Sequence, residues 1–163
     1  MGVRWLSRQC SVVLYEFATV AHESPDVIGW TPEAGSVLIE CKLTRSDFLK
    51  DAGKTVRKNP RAGMGKRRYY LCPQGVIQVR DLPPKWGLLW VFKGQVRVER
   101  EARGHPERNL GAEVRFLSSM LRRAQIRIGA RPLSEWLRCE NQFDAKRGIT
   151  HNQRHAVQTG IAL

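Results

Sequence analysis

The run from Ser24 to Lys42 constrains this chain more than any other stretch. Val27-Ile28-Gly29-Trp30 and Ser36-Val37-Leu38-Ile39-Glu40-Cys41-Lys42 are largely apolar segments, separated by Thr31-Pro32-Glu33-Ala34-Gly35, whose proline and glycine mark a turn. Strand-forming residues on both sides of such a turn predict a β-hairpin. Symmetry about Glu33 makes paired positions sum to 66, setting Asp26 opposite Glu40, Ile28 opposite Leu38 and Trp30 opposite Ser36. Directly opposed antiparallel residues hold their Cβ atoms roughly 4.5 to 5.5 Å apart, so this register brings two carboxylates onto one face. Alternation along the strand adds Lys42 to that face and sends Ile39 and Cys41 to the buried one.

Two carboxylates held that closely repel each other unless a cation joins them. Mg²⁺ takes hard oxygen ligands, usually one or two carboxylates, and completes its octahedron with water and substrate phosphate. Asp26 and Glu40 are therefore the expected ligands of Mg²⁺, with Mn²⁺ able to substitute. A metal-bound water is a stronger nucleophile, and the same ion offsets charge on a phosphodiester in its transition state. Lys42 is placed to orient that water or to stabilise pentacovalent phosphorus, which makes Asp26, Glu40 and Lys42 the predicted catalytic set. The plainer alternative, an exposed hairpin with charged ends, fits poorly with Val37-Leu38-Ile39, which is apolar enough for a core strand.

Pro25-Asp26, thirteen intervening residues and Glu40-Cys41-Lys42 together resemble the motif of the PD-(D/E)XK nuclease superfamily. Further along, Thr44-Arg45-Ser46-Asp47-Phe48-Leu49-Lys50-Asp51, Gly63-Met64-Gly65-Lys66-Arg67-Arg68-Tyr69-Tyr70-Leu71-Cys72-Pro73 and Leu82-Pro83-Pro84-Lys85-Trp86-Gly87-Leu88-Leu89 are similar to small stand-alone bacterial and phage members, including MmcB-like DNA-repair proteins. The resemblance covers roughly residues 5–100. It implies an α/β, restriction-endonuclease-like core, with a mixed central β-sheet flanked by helices. It also implies a metal-dependent nuclease acting on DNA in repair, recombination or phage DNA processing. A Holliday junction resolvase-like endonuclease is the leading alternative enzyme, and a non-catalytic nucleic-acid-binding protein that retains the fold is the alternative outside enzymes.

Many members of that superfamily carry a helical Glu as a further metal ligand, and Glu16 is the matching candidate. Leu6, Cys10, Val13, Phe17 and Val20 recur at spacings of four and three, the apolar stripe of an amphipathic helix, and Glu16 borders that stripe.

At 163 residues the chain has room for one domain with a true core, and its net charge of +13, from 28 Lys and Arg against 15 acids, calls for a polyanionic partner. Neutralising phosphates releases counterions and gives affinity without sequence preference, which fits DNA, RNA or an anionic membrane surface alike; the resemblance implies nucleic acid as the partner, DNA ahead of RNA, with a homodimer as a further expectation. Lys54, Arg57, Lys58, Arg61, Lys66, Arg67 and Arg68 fall within residues 53–68 with no acid among them. Gly53, Pro60, Gly63 and Gly65 interrupt the segment, which predicts a mobile nucleic-acid-binding loop after a short helix over residues 44–52.

Other chemistries are excluded on spacing. Gly63-Met64-Gly65-Lys66 lacks the four-residue gap and the Ser or Thr of a phosphate-binding loop, and no dinucleotide-binding Gly-x-Gly-x-x-Gly turn is present. Cysteines 10, 41, 72 and 139 show neither Cys-x-x-Cys spacing nor zinc-site histidines, so they read as reduced thiols, with Cys41 and Cys72 in the core. No window is apolar enough to cross a bilayer and no signal-peptide core is evident, which predicts no membrane association and a cytoplasmic location, in a bacterial cytoplasm or nucleoid or a phage-infected host.

Tyr69-Tyr70-Leu71-Cys72 reads as a third strand, residues 76–79 as a short one, and 87–92 with Val96 and Val98 as a later strand or hairpin. Leu110, Val114, Leu117, Leu121, Ala124 and Ile128 mark a long amphipathic helix with Arg115, Arg122, Arg123 and Arg127 on its other face. The predicted organisation is one domain over residues 1–147, comprising the core and a C-terminal helical extension over 107–147. A loosely ordered tail over 148–163 follows, in which His151 and His155 lack a third metal ligand.

Overall fold

The hairpin forms in the expected register. In a computed structural model that describes residues 1–16 and 23–127, β2 (Val27–Trp30) pairs antiparallel with β3 (Ser36–Cys41), setting Ile28 against Leu38 and Trp30 against Ser36. Every side chain from Ser36 to Glu40 is buried, as a strand covered on both faces requires.

These two strands belong to a six-stranded mixed sheet. It runs in chain order from β1 (Val12–Tyr15) through β2, β3, β4 (Arg67–Pro73) and β5 (Gly87–Phe92) to β6 (Gln95–Arg100). The middle pairs, β3 with β4 and β4 with β5, are parallel, and the outer pairs are antiparallel. A parallel pair needs a crossover. Between β3 and β4 it is made by α2 (Arg45–Ala52) and α3 (Thr55–Lys58); between β4 and β5 it contains a 3₁₀ turn, Val79–Asp81. Thr44 caps α2 by accepting the Asp47 amide at 3.2 Å, which sets the helix start.

The pleat sorts the core into two layers. Val27, Val37, Ile39, Tyr69, Leu71 and Leu89 pack on one face with Leu6 of α1 (Gly2–Leu6). On the other face Tyr70 meets Phe48 of α2 edge-on, with ring centroids 5.0 Å apart, and stacks on Trp86 at 4.5 Å. Glu40 pairs in register with Tyr70 and so belongs to this second layer.

The chain divides into two compact units, Met1–Phe116 and Leu117–Leu163. The first holds the sheet and the opening turns of α4 (Leu110–Arg127); the described part of the second is the remainder of that helix. The long amphipathic helix is thus where its periodicity placed it. Residues 128–147 of the predicted extension, the tail over 148–163, His151 and His155 lie outside the described residues. Among the described residues no helix is long and apolar enough to cross a membrane.

Three local readings change. The expected helix through residues 6–20 is instead α1, ending at Leu6, followed by β1, whose Val12 and Val13 pair with Trp30 and Gly29. Pairing with β2 overrides the helical spacing, since β-branched residues favour a strand when a partner edge is available; Phe17 and Val20 lie outside the described residues. Residues 76–79 form no strand, because the chain turns there into the 3₁₀ segment. Cys41, the last residue of β3, is exposed, whereas Cys72 is buried.

Candidate active site

The end of β3 delivers Glu40 into a buried ionic cluster. Its carboxylate, 2% exposed, lies 3.0 Å from the Lys42 ammonium and 2.8 Å from Nη2 of Arg57. Arg57 comes from α3 and is itself buried. It donates to Asp51 through Nε at 2.6 Å and to Glu23 through Nη1. Asp51, at the end of α2, also accepts from the Tyr70 hydroxyl at 2.8 Å and lies 2.7 Å from Lys54 and 3.4 Å from Lys42. Three buried carboxylates, Glu23, Glu40 and Asp51, therefore surround two buried cations, Lys42 and Arg57.

Electrostatics follow from this packing. Burial lifts the Glu40 carboxyl above its ordinary value, against the pull of Arg57 and Lys42, and the nearby charges of Asp26 and Asp51 add to the rise. Burial opposes charge on Lys42, yet Glu40 and Asp51 outweigh it and hold the ammonium above the usual lysine value. Burial also works against the Asp51 charge, but hydrogen bonds from Arg57 and Lys54 prevail and keep its pKa well below the carboxylate range.

One atom in the cluster stands apart. Glu40 Oε1 is buried and ion-paired with Arg57, yet among the described residues it accepts no hydrogen bond, because Arg57 approaches it in distance but not in hydrogen-bond geometry. Such an oxygen keeps acceptor capacity to spare. Asp26, half-buried, accepts the Cys41 amide through Oδ2 at 2.7 Å, which fixes it at the mouth of the hairpin beside Glu40.

Each predicted residue can now be placed. Asp26, Glu40 and Lys42 come together as the hairpin register requires, and Asp26 contributes to the electrostatics of both the others. Glu16 is not helical: it is exposed at the end of β1 with φ of 54°, and its amide donates to the Asp26 carbonyl at 3.2 Å. Among the described residues no three His, Cys, Asp or Glu side chains form a group that could hold a metal ion. Asp26 and Glu40 are the two carboxylates here that could hold a divalent cation, and Mg²⁺ is an ion that can bind through one or two carboxylates and keep several waters.

The basic segment divides. Lys54, Lys58, Arg61 and Lys66 are exposed and Arg67 is half-buried, with Nη2 donating to Gln9 at 3.2 Å. Arg57 and Arg68 are corrected: both are buried and face the protein. Arg68 donates to the carbonyls of Pro60, Gly63 and Gly65 at 2.8 to 3.0 Å, which holds the expected mobile loop in place. Gly65, at φ of 85°, lies so close to β3 that an added Cβ would come within 2.6 Å of Leu38 Cβ.

Glu23 and Asp51 were missed as cluster members. Asp51 had a signal, since it stands three residues after Phe48 on the buried side of α2. Glu23 had none, because its partners Arg57 and Met64 lie more than thirty positions away.

No family model and no curated protein matches the chain. Among solved structures it is similar to a protein of unknown function from Silicibacter pomeroyi, with a TM-score of 0.54 and 24% identity over 78% of this chain and 88% of that one. The likeness is one of fold: an α/β architecture with a six-stranded mixed sheet flanked by helices.

Proposed function

We propose that the chain is a metal-dependent nuclease that hydrolyses phosphodiester bonds in DNA, and that its α/β fold is of the restriction-endonuclease-like type. The observation that carries this reading is the convergence of Asp26, Glu40 and Lys42 at the end of a buried strand, with Glu40 Oε1 lacking a hydrogen bond. Asp26 and Glu40 would hold Mg²⁺ or Mn²⁺. Such an ion, when bound, lowers the pKa of a water ligand and polarises the phosphoryl oxygens. Lys42 stays protonated at neutral pH because Glu40 and Asp51 stabilise its charge. An ammonium has three donors; Nζ bonds Glu40 at 3.0 Å and lies 3.4 Å from Asp51, and a remaining donor would serve a phosphate oxygen. Arg57 and Asp51 act as positioning residues, Asp51 holding Arg57 and Arg57 holding Glu40. Lys54, Lys58, Arg61 and Lys66 supply exposed charge for the nucleic-acid backbone.

A second reading has its own support. Lys42 and Arg57 already sit against Glu40, so the cluster can also be read as an internal ion-pair network in a nucleic-acid-binding protein that does not cleave.

Nicking of supercoiled plasmid in Mg²⁺, Mn²⁺ and EDTA separates the two. Linear duplex, single-stranded DNA, RNA and a four-way junction run alongside, and the wild type is compared with Lys42→Ala. Metal-dependent cutting that the variant loses is the expected result, and preference for the junction would make it resolvase-like. Binding that ignores metal, with no substrate cut, would select the binder.

A further inference from the structure

A second place in the molecule holds an unsatisfied buried group, and it faces a cleft of its own. Lys58, Pro60, residues 83–86, His105 and Glu107 line it, around a volume of about 200 Å³. The His105 ring is 2% exposed, and neither of its nitrogens has a hydrogen-bond partner among the described residues. Glu107 stands 3.5 Å from Nδ1, an electrostatic contact and not a hydrogen bond. The residue is fixed through its backbone, its amide donating to the Lys66 carbonyl at 2.7 Å. A buried imidazole bonded at neither nitrogen among the described residues is expensive, which favours a further partner.

The surroundings define that partner's chemistry. Lys58 and Lys85 are exposed cations on the cleft's walls, against the one acid Glu107, which Lys85 meets at 3.5 Å. Lys85 is held at φ of 67°, with its carbonyl accepting the Arg103 amide at 2.8 Å. Arg57 lines the cleft from within, hydrogen-bonded to Glu23 and Asp51 and ion-paired with Glu40, so it contributes positive field and not a new bond. Pro83, Pro84 and Trp86 supply apolar surface. The volume falls below the roughly 300 to 1,000 Å³ of pockets that enclose whole drug-sized ligands, so only a compact group is enclosed.

We propose that this cleft binds a phosphate monoester, through Lys58, Lys85 and His105, with the first atoms of its ester against the two prolines and Trp86. Because Arg57 is common to the cleft and the Glu40 cluster, a strand-terminal phosphate seated here would lie next to the carboxylates. Binding needs no cleavage and no metal, so the inference stands or falls separately from the nuclease reading.

The test is made on the whole chain in EDTA at fixed ionic strength. A short labelled single strand carrying a terminal 5′- or 3′-phosphate is compared with the same strand ending in hydroxyls, and inorganic phosphate is the competitor. The expected result is about tenfold tighter binding of a phosphorylated strand, the size of a lost charged hydrogen bond. That preference should disappear in Lys58→Ala/Lys85→Ala, whose changed side chains are exposed and leave the core intact. His105→Gln keeps a hydrogen-bonding group and should retain part of the preference. Saturable binding of inorganic phosphate, lost in the double variant, without preference for a phosphorylated strand would also support the cleft and would identify its ligand as a small phosphate. Equal binding of all strands with no competition by inorganic phosphate would overturn the proposal, as would an unchanged preference in the double variant.

Discussion

Two buried carboxylates, Glu40 and Glu113, have opposite fates. Glu113 of α4, 1% exposed, accepts through one oxygen from the Ser36 hydroxyl at 2.9 Å, the Gly65 amide at 2.8 Å and Arg108 at 3.0 Å. It ties a strand, a loop and a helix together with neutral or singly charged donors. Glu40, equally buried, shares a crowded cluster with two other acids and two cations, and keeps one oxygen without a hydrogen bond. A carboxylate that collects donors from three elements is a structural anchor, and one that keeps a buried oxygen without a hydrogen bond among the described residues has acceptor capacity to spare.

The sharpest way to break this contrast is to neutralise each carboxylate in turn. Glu40→Gln should lower metal-dependent cleavage per folded molecule by about 10³-fold or more, the scale of losing a principal stabiliser of transition-state charge, and it should also cost stability because Lys42 and Arg57 lose a charged partner. Glu113→Ala should leave cleavage per folded molecule nearly unchanged while costing about 3 kcal/mol of stability by stranding Arg108 and two other donors. Activity loss and melting temperature measured on both variants check the pair; matching profiles would erase the distinction.

Acid sharpens it further. The folded-state pKa of Asp51 is depressed, so its carboxylate contributes stability above its unfolded value of 3.8, and that contribution is lost as pH falls toward the folded value. Asp51→Asn should therefore be less stable than wild type at neutral pH, and the gap should close below about pH 4 in denaturant melts. A gap independent of pH would mean that Asp51 acts through packing alone.

Smaller effects mark the edges. Glu16→Gln should reduce cleavage far less than Glu40→Gln, because Glu16 is exposed at a strand end and forms no three-acid group with Asp26 and Glu40. Lys54→Ala should cost about 0 to 1 kcal/mol, since Lys54 is 56% exposed in its pair with Asp51 and surface pairs are weak. Thermal melts and initial rates decide both.

What could be read from the chain divides by range. The hairpin, its register and the meeting of Asp26, Glu40 and Lys42 depend on a local turn and a period of two, so they were legible. The N-terminal region misled because Leu6, Cys10 and Val13 keep helical spacing across a boundary between a short helix and a strand. Only the edge of β2, several residues on, decides between them. Residues 53–68 misled for a different reason. A run of cations looks solvated, yet Arg57 and Arg68 are drawn inward by acids and carbonyls that composition cannot place. The cluster itself needed Glu23 and Asp51, which reach it only through tertiary packing.

The most direct test of the central claim is a Mn²⁺ titration of wild type, Glu40→Gln and Glu113→Gln, read by melting temperature and plasmid nicking on the same samples. The account predicts that wild type and Glu113→Gln both gain melting temperature with Mn²⁺ and cut DNA, while Glu40→Gln does neither. A Glu40→Gln protein that shifts and cuts like wild type would contradict it, as would a wild type that Mn²⁺ neither stabilises nor activates.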